Sequence, residues 1–232
     1  MLKAHQAQVA SLIPFSWVDG PGNRFVLFLQ GCNFNCLACH NPQTIPMHTP
    51  RASQMGVHEV LEQIRAAMPY ISGVTVSGGE ATVQSEFVIE LFKEIKKRAE
   101  FSTLTTFIDS NGNAPQAVWE LLAPHTDGVM LDLKALNNES HIALTGSSNE
   151  VVLESIKYLN SIDKLYEVRL LLVPGHNDSD EELIKTAVWL KGVNPDMKIR
   201  INAFKSHGVR AAAREWPEVS DADLTRYHSR LD

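Results

Sequence analysis

The chain is poor in cysteine, with only three in its 232 residues, at Cys32, Cys36 and Cys39. No thiol is left elsewhere for a disulfide framework or for a second thiolate-bound metal site. No charged opening region followed by an apolar run is present, which argues against secretion and the oxidising compartment a disulfide needs. No apolar run approaches the roughly 20 residues that cross a membrane. Basic charge is in deficit, with a formal net charge of −6, which disfavours a general nucleic-acid binder with a basic face. The basic run Lys96, Lys97 and Arg98 reads as the last turn of a helix, complementing its dipole. No Ser/Gly-rich linker or low-complexity block interrupts the chain, so residues 1–232 read as a single domain. A hydrophobic content of 44% suits an ordinary globular protein with a real core.

What is present is a thiol cluster with one position missing. Thiolates separated by three and then two intervening residues can face one small volume. Three soft sulfur ligands without a fourth leave one coordination position open for chemistry. Two other readings compete. In one, His40 completes a Cys3His zinc set, although zinc sites favour paired C-x2-C knuckles and His40 directly follows Cys39. In the other, a disulfide forms beside a free thiol.

Short β-branched runs alternate with longer amphipathic ones. Strand-like segments fall near Phe25–Gln30, Gly73–Ser77, Leu104–Asp109, Gly128–Lys134, Glu167–Val173 and Lys198–Phe204. Helical patterns fall near Val57–Met68, Glu86–Arg98, Pro115–Leu122, Glu150–Ser161, Ser179–Lys191 and Asp221–Leu231. This alternation predicts parallel strands joined by crossover helices. Six repeats are too few for a closed eight-stranded barrel and fit a partial, open (β/α)6 TIM-like barrel.

The C-terminal ends of these strands carry the chemistry, which is where parallel sheets bind ligands. The first runs into the cysteine loop and the second ends in Ser77-Gly78-Gly79-Glu80. The third ends in Asp109-Ser110-Asn111-Gly112, the fourth in Asp132-Leu133-Lys134, the sixth in Asn202-Ala203-Phe204-Lys205. Alternation puts Met130, Asp132 and Lys134 on one strand face, opposite Val129, Leu131 and Leu133. Arg169 likewise opposes Val168 and Leu170, and Arg200 and Asn202 oppose Ile199 and Ile201. With the apolar sets under helices, the polar sets face inward. Inward charge is costly unless paired or bound to a ligand, so a polar binding cavity is predicted.

Gly78-Gly79 lets backbone approach a ligand closely, with Glu80 placed to accept from an ammonium; a tight turn explains the two glycines equally well. Asp109 and Asp132 at neighbouring strand ends would repel, so one is protonated or a cation lies between them. Asn111-Gly112 reads as a turn. Lys134 can pair with a ligand carboxylate or with Asp132, and an inward Arg169 needs an anion or several carbonyls.

The spacing C-x3-C-x2-C resembles the iron–sulfur signature of the radical S-adenosylmethionine (SAM) superfamily. Further segments narrow the resemblance: F-S-x-V-D-G-P-G-x-R (Phe15 to Arg24), F-L-Q-G-C (Phe28 to Cys32) and C-H-N-P (Cys39 to Pro42). V-S-G-G-E-A (Val76 to Ala81), D-S-N-G (Asp109 to Gly112) and M-L-D-L-K (Met130 to Lys134) follow in order. Together they resemble the glycyl radical enzyme activating enzymes, and G-G-E-A is the form carried by the pyruvate formate-lyase activases. A-F-K-S-H-G-V-R (Ala203 to Arg210) resembles the YjjW-type activases, here without their ferredoxin-like insert.

The resemblance implies that Cys32, Cys36 and Cys39 bind a [4Fe–4S] cluster and that SAM takes the fourth iron. Gly78, Gly79 and Glu80 would hold the SAM amino group, and Ser110, Asn111, Asp132 and Lys134 its carboxylate and ribose. Ala38, His40, Asn202 and Lys205 complete the implied cofactor set, with Ala38 where an aromatic is usual and Lys205 where a SAM-contacting His is. A monovalent cation, Na+ or K+, is implied at Asp109, Ser110, Met130 and Asp132. Asp19 and Arg169 are the candidates for meeting the substrate peptide.

The implied reaction is reductive cleavage of SAM and removal of a hydrogen from a glycine Cα of a partner enzyme, chemistry that needs no acid–base dyad. The implied reductant is a flavodoxin or ferredoxin, and the expected protein is a cytoplasmic monomer working anaerobically. Two rivals remain: a radical SAM enzyme acting on a small molecule, as the 7-carboxy-7-deazaguanine synthases do, and a non-catalytic iron–sulfur protein for electron transfer. The D-G-P-G-x-R segment favours the activase.

Overall fold

A computed structural model describes residues 6–231. Its described strands and helices are, in chain order, β1 (Gln6–Ser16), β2 (Arg24–Leu29), β3 (Ser53–Gly56), α1 (Val57–Ala67), β4 (Gly73–Gly78), α2 (Ser85–Lys97), β5 (Thr105–Ser110) and α3 (Gln116–Leu122). There follow β6 (Gly128–Leu133), α4 (Asn138–Thr145), α5 (Glu150–Ser161), β7 (Leu165–Leu172), α6 (Asp180–Val193), β8 (Ile199–Ala203) and α7 (Asp221–Leu231). These elements fall into two compact units, and β6 passes from the first to the second between Met130 and Leu131. The cysteine loop divides similarly, with Cys32 in the first unit and Cys36 and Cys39 in the second.

In the first unit the strand order is β3-β1-β2-β4-β5-β6. β2 pairs parallel with β4 from Arg24↔Gly73 to Leu29↔Gly78, and β4 pairs parallel with β5 from Gly73↔Thr105 to Val76↔Ile108. β2 is almost continuously apolar, and Phe25, Val26, Leu27 and Leu29 are all buried. That pattern belongs to a parallel strand covered on both faces. α1 buries Val60, Leu61 and Ile64, and α2 buries Phe87, Val88, Leu91, Phe92 and Ile95. Their spacing of three and four residues makes one apolar stripe on each helix.

In the second unit the order is β6-β7-β8, with β7 and β8 parallel from Val168↔Ile199 to Leu172↔Ala203. The start of α6 is capped by the Ser179 hydroxyl, which accepts from the Glu182 amide at 3.2 Å. Asp180, Glu181 and Glu182 then complement its dipole. α7 is tied to this helix start by Arg230, which donates to Asp180 Oδ2 at 2.8 Å, and by Arg226 and buried Tyr227, which both donate to Asp178 Oδ2. Burial, and then the bond to Asp178, push the Tyr227 pKa well up.

The six expected strands are β2 and β4 to β8, and the six expected helices are α1 to α3 and α5 to α7. The sheet is larger than the expected set, because β1 and β3 add antiparallel strands at its edge. β1 hides from pattern reading: it contains Pro14, and its end exposes Ile13 and Phe15. β3 is only Ser-Gln-Met-Gly. α4 was also unexpected, since eight residues of mixed polarity carry no clear stripe. No helix among the described residues is long and apolar enough to cross a membrane.

Candidate cofactor site

In the first unit, Gly78 ends β4, and Gly79 and Glu80 after it fold against the end of β2 and the residue before the first cysteine. The Gly79 amide donates to Leu29 O at 2.9 Å and the Glu80 amide to Gly31 O at 2.8 Å. Gly78 has φ +127°, and a Cβ there would run into the Leu29 backbone. A Cβ on Gly79 would run into the carbonyls of Gly31 and Thr44. Both glycines therefore have a packing reason as well as the expected ligand reason. Glu80 is 1% exposed. Its Oε1 accepts from the Thr82 amide at 2.9 Å, the Thr82 hydroxyl at 2.7 Å and the Ser110 hydroxyl at 2.8 Å. The carboxylate thus caps a 3-10 turn over Ala81–Gln84. Asp109 Oδ2 accepts from Ser77 at 2.8 Å, and Met130 is fully buried.

Lower on the same face lies the D-G-P-G-x-R segment. Arg24 is fully buried and its guanidinium is saturated. Nε donates to Thr75 Oγ1 at 3.1 Å, Nη1 to Thr105 Oγ1 at 2.5 Å, and Nη2 to Val74 O at 2.7 Å and Thr105 O at 3.1 Å. Its Cζ also lies 4.6 Å from the Phe107 ring centroid. The Thr75 hydroxyl donates in turn to Asp19 O at 2.7 Å, and the Asp19 carboxylate accepts from Ser16 at 2.6 Å. Arg24 and Thr75 thereby hold the Asp19 loop at the N-terminal part of the strands, on the face that Ser77 and Asp109 share.

The second unit holds Cys36, Ala38, Cys39 and His40. The last turn of α4 grips this loop: Thr145 O accepts from the Asn35 amide at 3.0 Å and Leu144 O from the Leu37 amide at 2.9 Å. Arg210 donates to Asn35 O at 2.8 Å and Asn35 Oδ1 at 2.7 Å. Phe34 stands edge-on to buried His141, ring centroids 5.5 Å apart. His141 Nδ1 pairs with Ser147 O at 2.8 Å, and burial lowers the pKa of the ring. Sequence reasoning missed Arg210 and α4 as loop supports; only Arg210 left a trace, inside the Ala203 to Arg210 segment.

All three cysteines are half-buried and none is in a disulfide. Burial pushes the Cys36 thiol up, the Lys134 ammonium opposes that, and Cys39 and Asp132 push it further up. Cysteine sulfur is the donor type that iron–sulfur clusters use, and the loop supplies three such residues, none of them in a disulfide.

Lys134 Nζ pairs with Asp132 Oδ2 at 2.7 Å. Asn111 Oδ1 accepts from the Asn113 amide at 2.9 Å, and Gly112 has φ +76°, so the D-S-N-G segment forms the turn its residues suggest. Arg169 finds its anion on its own strand face, donating to Glu167 Oε1 at 2.7 Å. His40 Nε2 lies 2.8 Å from Lys205 O. The exposed Lys205 ammonium pairs with Glu218 Oε2 at 3.2 Å. Two bonds from Ser206, the amide first, help hold the Glu218 pKa down at about 2. Ala38 is buried and Asn202 half-buried.

Comparison with known proteins adds to this geometry. Residues 26–187 match the model of the radical SAM superfamily. The chain is 38% identical over 205 residues to a pyruvate formate-lyase-activating enzyme of Streptococcus mutans, covering 86% of this chain and 78% of that one. It is 37% identical over 215 residues to the enzyme of the same name from Staphylococcus aureus, covering 90% and 84%. Among solved structures, SuiB of Streptococcus suis bound to S-adenosylmethionine superposes with a TM-score of 0.64 at 18% identity, over 87% of this chain and 44% of that one. A domain of a pyruvate-formate lyase-activating enzyme from Bacteroides vulgatus gives 0.57 at 20% identity, over 69% and 93%. These two likenesses concern the fold.

Proposed function

The chain belongs to the radical SAM superfamily, among its glycyl radical enzyme activating enzymes, and from that premise we propose that it installs a glycyl radical in a partner enzyme by reductive cleavage of SAM. The reading is carried by the 37–38% identity to pyruvate formate-lyase-activating enzymes over 86–90% of the chain. Three cysteines on the matching loop, none of them in a disulfide, support it.

In this reading Cys32, Cys36 and Cys39 hold a [4Fe–4S] cluster. Gly78, Gly79 and Glu80 receive the SAM amino group, and Ser110, Asn111, Asp132 and Lys134 its carboxylate and ribose. Ala38, His40, Asn202 and Lys205 complete the cofactor contacts. Asp109, Ser110, Met130 and Asp132 take a monovalent cation, and Asp19 and Arg169 meet the glycine-bearing loop. When bound, the cluster and SAM supply one-electron cleavage and a hydrogen-abstracting carbon radical. The chain's own work is orientation. Three hydrogen bonds on one oxygen fix the Glu80 carboxylate in advance, so little ordering remains when an ammonium is recognised.

The reading extends to one domain over residues 1–232, acting as a monomer in the cytoplasm with a flavodoxin or ferredoxin as reductant. An iron with an open position is oxygen-labile, which suits an anaerobic setting.

Low-temperature electron paramagnetic resonance of anaerobically reconstituted, reduced protein tests the proposal. A [4Fe–4S]+ signal that changes when SAM is added, followed by a carbon radical on an added glycyl radical enzyme, is the expected result. A signal indifferent to SAM points to an electron carrier. Turnover of a purine-like small molecule without a partner protein points to the small-molecule class. Zinc in place of a cluster overturns the reading entirely.

A further inference from the structure

Gln30 directly follows β2 and is 2% exposed. Its side-chain nitrogen donates twice, to Gln43 O at 2.9 Å and to Pro46 O at 2.5 Å. Those carbonyls are the two ends of a short arch over residues 43–46. The middle carbonyls of the same arch point the other way in function: Thr44 O accepts from the Gly31 amide at 2.8 Å, and Ile45 O from the Cys32 amide at 3.0 Å. One amide group therefore closes the arch that holds the backbone leading into the first cysteine. The Gln30 backbone is itself pinned, its N–H donating to Gln8 O at 2.8 Å and its carbonyl accepting from Gln84 Nε2 at 2.9 Å.

We propose that Gln30 is the positioning residue for Cys32, fixing the direction in which that sulfur is presented; this rests on the cluster-binding reading of the cysteine loop. A primary amide offers two N–H groups from one nitrogen and so can span two carbonyls. A carboxylate of the same shape offers none, nor does a thioether. Without Gln30 the Gln43 and Pro46 carbonyls would lose buried donors and turn toward water. The arch would then open, and the Gly31 and Cys32 amides would lose their acceptors. The Glu80 amide, bonded to Gly31 O, would shift with them.

The test compares Gln30→Met with Gln84→Met in the full chain. Gln84 supports the Gln30 carbonyl and pairs with Gln8 in both directions, and these side-chain bonds lie outside the arch. Hydrogen exchange is measured first on metal-free protein, where no cofactor enters the readout. The Gly31 and Cys32 amides should exchange about tenfold faster in Q30M, the equivalent of one lost hydrogen bond, and stay near the parent rate in Q84M. Reconstitution with iron and sulfide should then give Q30M less than about half the parental four-iron signal, since ordering the loop costs it that tenfold.

Parental exchange rates in Q30M would overturn the proposal. So would equal acceleration in Q84M, because the effect would then be general loosening. Should Q30M not fold, Gln30→Asn keeps the amide but cannot reach both carbonyls, and parental exchange in that variant overturns the proposal too. A parent protein that takes up no iron would overturn the functional reading instead, while the exchange result still decides whether Gln30 holds Cys32.

Discussion

The Glu80 amide donates to the Gly31 carbonyl at 2.8 Å, so the turn proposed to receive SAM and the residue leading into the first cysteine share a hydrogen bond. The Gly31 amide is used as well, donating to Thr44 O at 2.8 Å. Gly31 is thus a junction whose two backbone groups tie three segments together: the end of β2, the return loop at Thr44, and the turn after β4. A displacement of any one is felt by the other two.

Gly79→Ala should break that junction. Its Cβ would meet two backbone carbonyls, which cannot swing aside as a side chain can. The expected cost is about 1–3 kcal/mol of stability, with loss of the SAM-induced change in the cluster signal. Gly192→Ala is the control: it lies in α6 with nothing within 4 Å of a new Cβ. That change should stabilise by about 0.5–1 kcal/mol through helix propensity and leave the signal alone. Urea unfolding and resonance spectra check both, and a Gly79→Ala protein with parental stability would refute the packing argument.

Ser110→Ala removes one of three donors to Glu80 Oε1 while Thr82 keeps the other two. A loss of about 1 kcal/mol in orienting the carboxylate corresponds to a SAM dissociation constant raised about fivefold. Iron content should be unchanged, since Ser110 supports no cysteine in the proposed scheme. Equilibrium binding of SAM to reconstituted protein decides the matter, and unchanged affinity would remove Ser110 from the site.

The legible part of this chain was its parallel sheet. Runs such as Arg24–Leu29 are apolar enough to be buried on both faces, and helices such as α2 repeat their apolar residues every three or four positions. β1 and β3 were not legible, because β3 is four residues long and pairs β1 only over Gln6–Val9, so the later part of β1 lies at the sheet edge, need not be apolar on both faces and tolerates Pro14. The candidate residues after the strands were readable by type, while their supports were not. Gln30 looks like any polar residue until the Gln43 and Pro46 carbonyls fold over it. Gly79 suggests ligand approach, and only the fold shows the Gly31 and Thr44 carbonyls against it. Arg210 reaches Asn35 across 175 positions of sequence, a contact no local pattern encodes.

Arg24→Lys should destabilise the protein by about 2–4 kcal/mol. A lysine ammonium cannot replace a planar fork that serves Thr75, Thr105 and Val74 together, and buried carbonyls would be left without donors. Thr75→Val is the finer probe, because with little change in volume it removes the bond to Asp19 O and the acceptor of Arg24 Nε while leaving the other guanidinium bonds in place. SAM cleavage in the absence of a partner should persist in that variant. The KM for the partner enzyme should rise about tenfold as the Asp19 loop loses its register. An unchanged KM would mean that this loop does not meet the substrate.

Cys36 supplies a pH signature that is independent of any cofactor. Burial raises its thiol pKa in the folded chain, with Lys134 only partly opposing. The folded state therefore keeps this proton after the unfolded chain has released it. Above about pH 8.5, where an ordinary thiol ionises, the unfolded state binds fewer protons and stability must fall with rising pH. Below that range the contribution is fully present. Cys36→Ala deletes the group, so metal-free variant should lose stability less steeply than metal-free parent between pH 8.5 and 10 in urea titrations. Parallel slopes would refute the burial argument. The same variant, reconstituted with iron and sulfide, should remain folded and release no methionine from SAM. Retained cleavage would remove Cys36 from the cluster whatever the titration shows.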